Sequence, residues 1–297
     1  MPHILQNDDL KVTIDLPHEG YQYSRFDWSG KVTKLSFRGI PITTTELNDH
    51  FEKKRYGRGL YNEFDIDGPD RYNRTTAGDP FHKIGIGQLL KTRPRYDFNL
   101  PYSIEPAQFD YELLPDQISI RCKSSIIDRT SHTLHKTIKL MGQELVIEYE
   151  LHNTGDTFMR TTEYVHNFIA VNHGAISKDY ELRFPFDIDL SKCSEEVNLD
   201  NAVRINKNTV VFKHYPSQPF FFSELSSGQI APAQWHLYHK PSQLHITETG
   251  DFNAYKVNLW GDSHVISPEL FHRVDIAPGA QSHWTRTYRF WMSENEM

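Results

Sequence analysis

Apolar and polar residues alternate along most of this chain with a period of two rather than 3.6. The clearest run covers residues 144–151. Leu145, Ile147, Tyr149 and Leu151 face one way, and Glu144, Glu148 and Glu150 face the other, the pattern of a half-buried strand. Val12, Ile14 and Leu16 repeat it, as do residues 117–122 and 134–140. Further β-like pieces lie at 209–213, 234–238, 244–248, 256–260 and 284–290. Turn signals punctuate these runs at Ser29-Gly30, Met141-Gly-Gln143, Asn153-Thr-Gly-Asp156 and Ala277-Pro-Gly279. One short helix is expected over residues 44–54. Residues 57–91 read as a long loop, but Tyr61, Phe64, Tyr72 and Phe81 argue that it is ordered, and it is expected to wall a cleft. So many antiparallel strands exceed one sheet. The expected fold is therefore all-β, layered antiparallel sheets in a single domain over residues 1–297.

Residues 161–171 (Thr-Thr-Glu-Tyr-Val-His-Asn-Phe-Ile-Ala-Val) form the strand around which function is read. Tyr164, His166, Phe168 and Ala170 share one face; Glu163, Val165, Asn167 and Ile169 share the other. A histidine flanked by two aromatic rings suits a sugar, because the rings stack on a pyranose while the imidazole exchanges a proton. The competing reading is a hydrogen-bonded core histidine among aromatic packers.

Composition narrows the partners. The chain of 297 residues carries a net charge of −7 and has no Lys/Arg-rich run, so nucleic acid and anionic membrane are poor partners. Aromatics reach 13%, which favours strands and sugar-stacking surfaces. Cys122 and Cys193 have no paired spacing, so a reducing compartment is expected. No basic segment followed by an apolar run opens the sequence, and no apolar run approaches membrane-spanning length. These features point to a soluble cytoplasmic protein, as a monomer or homodimer.

The chain lacks GxSxG, P-loop, HExxH and paired-cysteine metal motifs. Asp65, Asp67 and Asp70 resemble a calcium loop, but Pro69 takes a ligand position and no closing Glu follows. His132 and His135, three apart on a strand, point to opposite faces and do not share a metal. No metal or cofactor is expected. Glu269, in Ile266-Ser-Pro-Glu-Leu-Phe271, is a carboxylate in an apolar setting. Desolvation there would make it a base near neutrality; the alternative is a rim glutamate paired with Arg273 or a lysine.

Taken in order, these pieces resemble the galactose mutarotase-like family, the aldose 1-epimerases and their relatives. The resemblance rests on Leu134-His-Lys-Thr-Ile-Lys-Leu140, Leu145 through Asn153-Thr-Gly155, Tyr164-Val-His-Asn-Phe168, Pro268-Glu269, Val274-Asp-Ile-Ala-Pro-Gly279 and the closing Trp284 to Phe290. It implies a β-supersandwich and interconversion of α and β anomers, with Glu269 as base and His166 as acid. It also implies Arg58 and His82 as sugar ligands, joined on the cleft by Tyr164, Asn167 and Trp260. Lys83 stands where the family has glycine after its binding histidine, and the family's sugar-binding aspartate has no clear counterpart beyond Asp251 or Asp262. The alternative on the same fold is a non-catalytic sugar-binding or sensing protein.

Overall fold

The structure is a computed structural model; it describes residues 2–48, 54–66 and 69–293, and of residues 69–71 the backbone alone. Among these residues the chain forms two ten-stranded sheets and one three-stranded sheet, all antiparallel. The first sheet runs in the order His3–Gln6, Leu10–Asp15, Lys31–Phe37, Leu60–Phe64, Met159–Asn167, Val265–Ile276, Lys256–Asp262, Phe220–Ser223, Glu195–Val197, with Ile40–Pro41 beside the third. The second runs Val203–Asn206, Thr209–Phe212, Tyr180–Arg183, Ala231–His239, Leu244–Ala254, Gln281–Met292, Glu144–Asn153, His132–Met141, Gln117–Lys123, Gln108–Leu113.

The period-two pattern is what stacks these layers. Leu145, Ile147, Tyr149 and Leu151 are all buried, and they share one hydrophobic core with Leu35, Val165, Leu259 and Leu270 of the first sheet. Each such side chain contributes about 1.5–3 kcal/mol by leaving water. The expected layered sandwich is the observed architecture.

A buried ionic network lies between the sheets. Arg286, fully buried, donates to Glu163 through Nε (3.0 Å) and Nη2 (2.7 Å), to Glu248 through Nη1 and to the Leu270 carbonyl (2.8 Å). Trp284 Nε1 donates to Glu163 (3.1 Å) and Trp235 Nε1 to Glu248 (2.6 Å). These charges are paired and hydrogen-bonded on every side, the condition under which burial is tolerated.

The outer face of the first sheet carries a second, aromatic core of Tyr21, Phe26, Trp28, Tyr61, Tyr72, Phe81, Tyr102 and Phe168. Here the structure departs from the loop expected over residues 57–91. That segment contains the strand Leu60–Phe64, the short helix Pro69–Arg74 and the strands Pro80–Lys83 and Gly87–Leu90. Tyr61, Tyr72 and Phe81 fill the second core and Phe64 the main one, and so order the backbone, overriding the local glycine and proline signals. The helix expected over 44–54 is not formed by its first residues, which lie extended: Thr43 bridges Ile169 and Thr45 bridges Arg58. Residues 49–53 of that expectation, and Asp67 of the acidic cluster, lie outside the described residues. Among the described residues no helix is long and apolar enough to cross a membrane.

Candidate active site

His166 and Glu269 reach the same point from neighbouring strands. Met159–Asn167 pairs with Val265–Ile276 from Met159↔Ile276 to Glu163↔His272, and the pairing resumes only at Ile169↔Ile266. Pro268, which has no N–H to give a ladder, lies in the gap. The Asn167 amide spans it, donating to the Pro268 carbonyl (2.7 Å) and to Glu248 (2.9 Å). On the other face of the gap, His166 Nδ1 meets Glu269 Oε1 at 2.8 Å. Nε2 of the same ring meets Glu63 Oε2 at 3.0 Å.

Glu63 is the hub of this cluster. It also accepts from Arg25 Nε (3.1 Å) and Lys83 Nζ (3.4 Å), while Arg25 Nη1 pairs with Glu46 (2.7 Å). Burial pushes the Glu63 carboxyl upward, but Lys83, the His166 hydrogen bond and Arg25 outweigh it and hold the group well below the ordinary carboxylate range. For His166, burial opposes the charged ring. Glu269 overcomes this, helped by hydrogen bonds to both carboxylates and against Arg25, and the net shift is upward. A ring held between two carboxylates is thus favoured as imidazolium, with Nδ1–H directed at Glu269.

These groups open on a cleft of about 410 Å³. Tyr164 stacks on Phe271 (centroids 4.1 Å apart), Phe168 lies parallel to His166 (5.7 Å), and Trp260 meets Phe168 edge-on (6.2 Å). Lys256 and Asn258, which share a strand face with Trp260, line the cleft too, as do Arg25, Glu46, Tyr56, Phe98 and Asn99.

Of the residues singled out from sequence, His166, Glu269, Tyr164 and Trp260 line this cleft. Five others do not. Asn167 is fully buried and points into the sandwich, because it neighbours His166 on a strand and faces the other way. His82 also faces away: its Nε2 donates to the Thr130 carbonyl (3.1 Å) and its ring packs on His132 (5.3 Å), beside a separate pocket of about 270 Å³. Alternation gives the cleft side to the next residue, Lys83, which reaches Glu63. Arg58 does not line the cleft either, and its charge bears on Tyr61 and Asp15; the arginine lining the cleft is Arg25. Asp251 accepts from the Thr285 N–H, and Asp262 from that of Ser263, so neither serves the cleft.

Sequence reasoning missed Arg25, Glu46, Glu63, Lys256 and Asn258. Two of them were within reach, since Lys256 and Asn258 precede Trp260 by four and two residues on one strand and must share its face. Glu63 was hidden by the loop reading. Arg25 and Glu46 come from irregular segments with no periodic signal.

No protein-family model matches the chain, and no curated protein matches it. Solved structures do. A protein from Escherichia coli K12 with a provisional aldose 1-epimerase assignment superposes with a TM-score of 0.62 at 8% identity, covering 99% of each chain. A galactose mutarotase-like protein from Lactobacillus casei ATCC 334 gives 0.58 at 12% identity, covering 98% of this chain and 100% of that one. A second galactose mutarotase-like protein, from Clostridium acetobutylicum, gives 0.56 at 12% identity over 98% and 95%. The chain has the galactose mutarotase-like fold. At these identities the likeness is one of fold.

Proposed function

We propose that the protein interconverts the α and β anomers of an aldose at the His166–Glu269 pair. The observation that carries this reading is the 2.8 Å contact between a buried imidazole and a carboxylate at the base of an aromatic-lined cleft. A cyclic sugar is a hemiacetal. Its C1 bears an O–H donor and a ring-oxygen acceptor, so it can be interposed between a carboxylate and an imidazolium.

In that arrangement Glu269 takes the proton from the C1 hydroxyl. The O–H electron pair becomes the second bond of a C1 carbonyl as the bond from C1 to the ring oxygen breaks. The ring oxygen keeps that bond's electrons and takes the Nδ1 proton of His166. Rotation about C1–C2 turns the carbonyl over, and the reverse transfers close the ring on its other face. Glu63, on Nε2, fixes the ring's orientation and supports its charge, a positioning role. The rings of Tyr164 and Trp260 supply apolar surface for the sugar's C–H groups. The names of the fold neighbours agree with this reading: aldose 1-epimerase and galactose mutarotase-like protein.

Glu269→Gln keeps the shape and removes the base. Anomer exchange, followed by saturation-transfer NMR over a panel of aldoses, is expected to fall by about 10²–10⁴-fold with sugar binding retained. His166→Asn is expected to do the same. Equal rates for wild type and Glu269→Gln on a sugar that binds would discard the exchange reading and leave a carbohydrate-binding protein.

A further inference from the structure

We propose that the cleft selects a sugar bearing a negative charge, a carboxylate or a phosphate, received by Lys256 and Asn258. This names the substrate class of the exchange reading and rests on it.

The strand Lys256–Asp262 alternates. Val257 and Leu259 are buried in the main core, while Lys256, Asn258 and Trp260 line the cleft. The cleft-facing polar groups of this strand are donors. Asn258 accepts through its side-chain oxygen from the Glu224 backbone N–H (3.1 Å) and from the Ser223 hydroxyl (3.3 Å). A backbone N–H can only donate, so the oxygen is fixed at that end and the NH₂ group is presented to the cleft. The Lys256 ammonium lies 4.0 Å from the centroid of the Phe271 ring and makes no ion pair with a described residue.

The other charges around the acid–base pair are matched. Arg25 is held by Glu46 and Glu63, Lys83 by Glu63, and the His166 ring by Glu63 and Glu269. Glu46 also accepts from the Gly57 N–H (2.7 Å). Among the described cleft residues, Lys256 is the cation with no carboxylate in ion-pair contact; Glu269, Asp65 and Glu224 act on it from farther away. A neutral sugar there would replace the ammonium's water with hydroxyl acceptors alone; an anionic substituent would replace it with an acceptor that also carries the opposite charge.

Placement fits the same substrate. Asn258 stands opposite Glu269 in the sheet register, and Lys256 opposite Phe271. Neighbouring strands are about 4.8 Å apart, and residues two apart on a strand are separated by roughly 6.6 Å. The donors therefore lie about one sugar ring from the point of proton transfer. That is where an anionic group at C6 would fall with its C1 at Glu269.

The test compares glucose, glucuronate and glucose 6-phosphate on wild type, Lys256→Met and Asn258→Asp, by saturation-transfer NMR for exchange and by calorimetry for binding. For wild type, at least one anionic sugar is expected to exceed glucose in kcat/KM by about tenfold or more, the worth of one well-placed charge contact. Lys256→Met is expected to collapse that ratio through KM. Asn258→Asp, which keeps the contacts to Glu224 and Ser223 but adds a negative charge, is expected to reverse it. A preference for glucuronate identifies a carboxylate ligand, and one for glucose 6-phosphate a phosphate; either supports the proposal. Equal kcat/KM for all three sugars, or a preference that survives in both variants, overturns it while leaving anomer exchange intact. If no sugar exchanges but an anionic one binds and Lys256→Met loses that binding, the exchange reading fails and the anion site stands.

Discussion

The two faces of the strand Met159–Asn167 carry two buried ionic clusters of similar composition and opposite character. On the inner face, Glu163 and Asn167 join Arg286, Glu248, Trp235 and Trp284, all of them buried, inside the sandwich. On the outer face, His166 joins Glu63, Glu269, Arg25 and Lys83 beneath an open cleft. Both place carboxylates around cations at hydrogen-bonding distance. The inner cluster is a keystone: its arginine clamps two strands of the first sheet to the second and meets no solvent. The outer one opens on the cleft, with a titratable ring beside its guanidinium and the donors Lys256 and Asn258 at its rim. Residue type alone does not separate these two networks. Access, and the presence of a group that can change its charge, do so.

Three predictions break or sharpen this contrast. The largest effect is expected from Arg286→Met, which leaves Glu163 and Glu248 buried without their cation. A loss of about 3–5 kcal/mol in unfolding free energy, read by urea denaturation, follows from breaking a buried pair on one side only. A loss below about 1 kcal/mol would mean that the inner cluster is not a keystone.

The next effect belongs to Glu63→Gln, which withdraws a charged acceptor from Arg25, Lys83 and His166. A loss of about 1.5–3 kcal/mol is expected near neutrality. Its pH dependence separates the clusters. Glu63 is held below its ordinary value of 4.5, so its contribution is present above that value and is lost as the pH falls toward the folded-state value. Glu163 behaves in the opposite sense. Burial, only partly offset by Arg286, raises it from 4.5, so its contribution is present below 4.5 and fades as the pH rises through the raised value. His166, raised from 6.5, stabilises below 6.5 and ceases to do so as the pH climbs through its folded value. The outer cluster therefore contributes most between 4.5 and 6.5. Glu63→Gln is expected to flatten the acid side of the stability profile, and to lower the His166 titration midpoint seen by NMR. An unchanged acid limb and an unmoved midpoint would contradict the outer geometry.

The smallest effect is expected from an ion pair in neither cluster. Lys139 and Glu148 meet at 2.7 Å on the second sheet, with side chains 26% and 45% exposed. A double-mutant cycle with alanine is expected to give about 0–1 kcal/mol of coupling, since water screens the pair. A coupling comparable with the Arg286 effect would show that distance, not burial, sets these energies.

The sequence alone determined the layers and singled out the two residues that meet at the cleft. Strand alternation is local: Leu145 to Leu151 declare a buried face whatever lies against it, and Tyr164 and His166 declare a shared one. Glu269 stood out because a carboxylate in an apolar run needs a reason. The same alternation excludes Asn167 from the cleft and brings Lys256 and Asn258 in with Trp260, so those assignments were legible in the chain. What only the tertiary structure decided is which segments meet. The Glu63 hub depends on Leu60–Phe64 pairing with the histidine strand, a pairing that glycine and proline signals on either side concealed. Arg25 and Glu46 arrive from loops, where no period marks a face. Arg58 and His82 turn elsewhere because the aromatic core over the first sheet, a sum of many side chains distant in sequence, fixes the path of the segment that bears them.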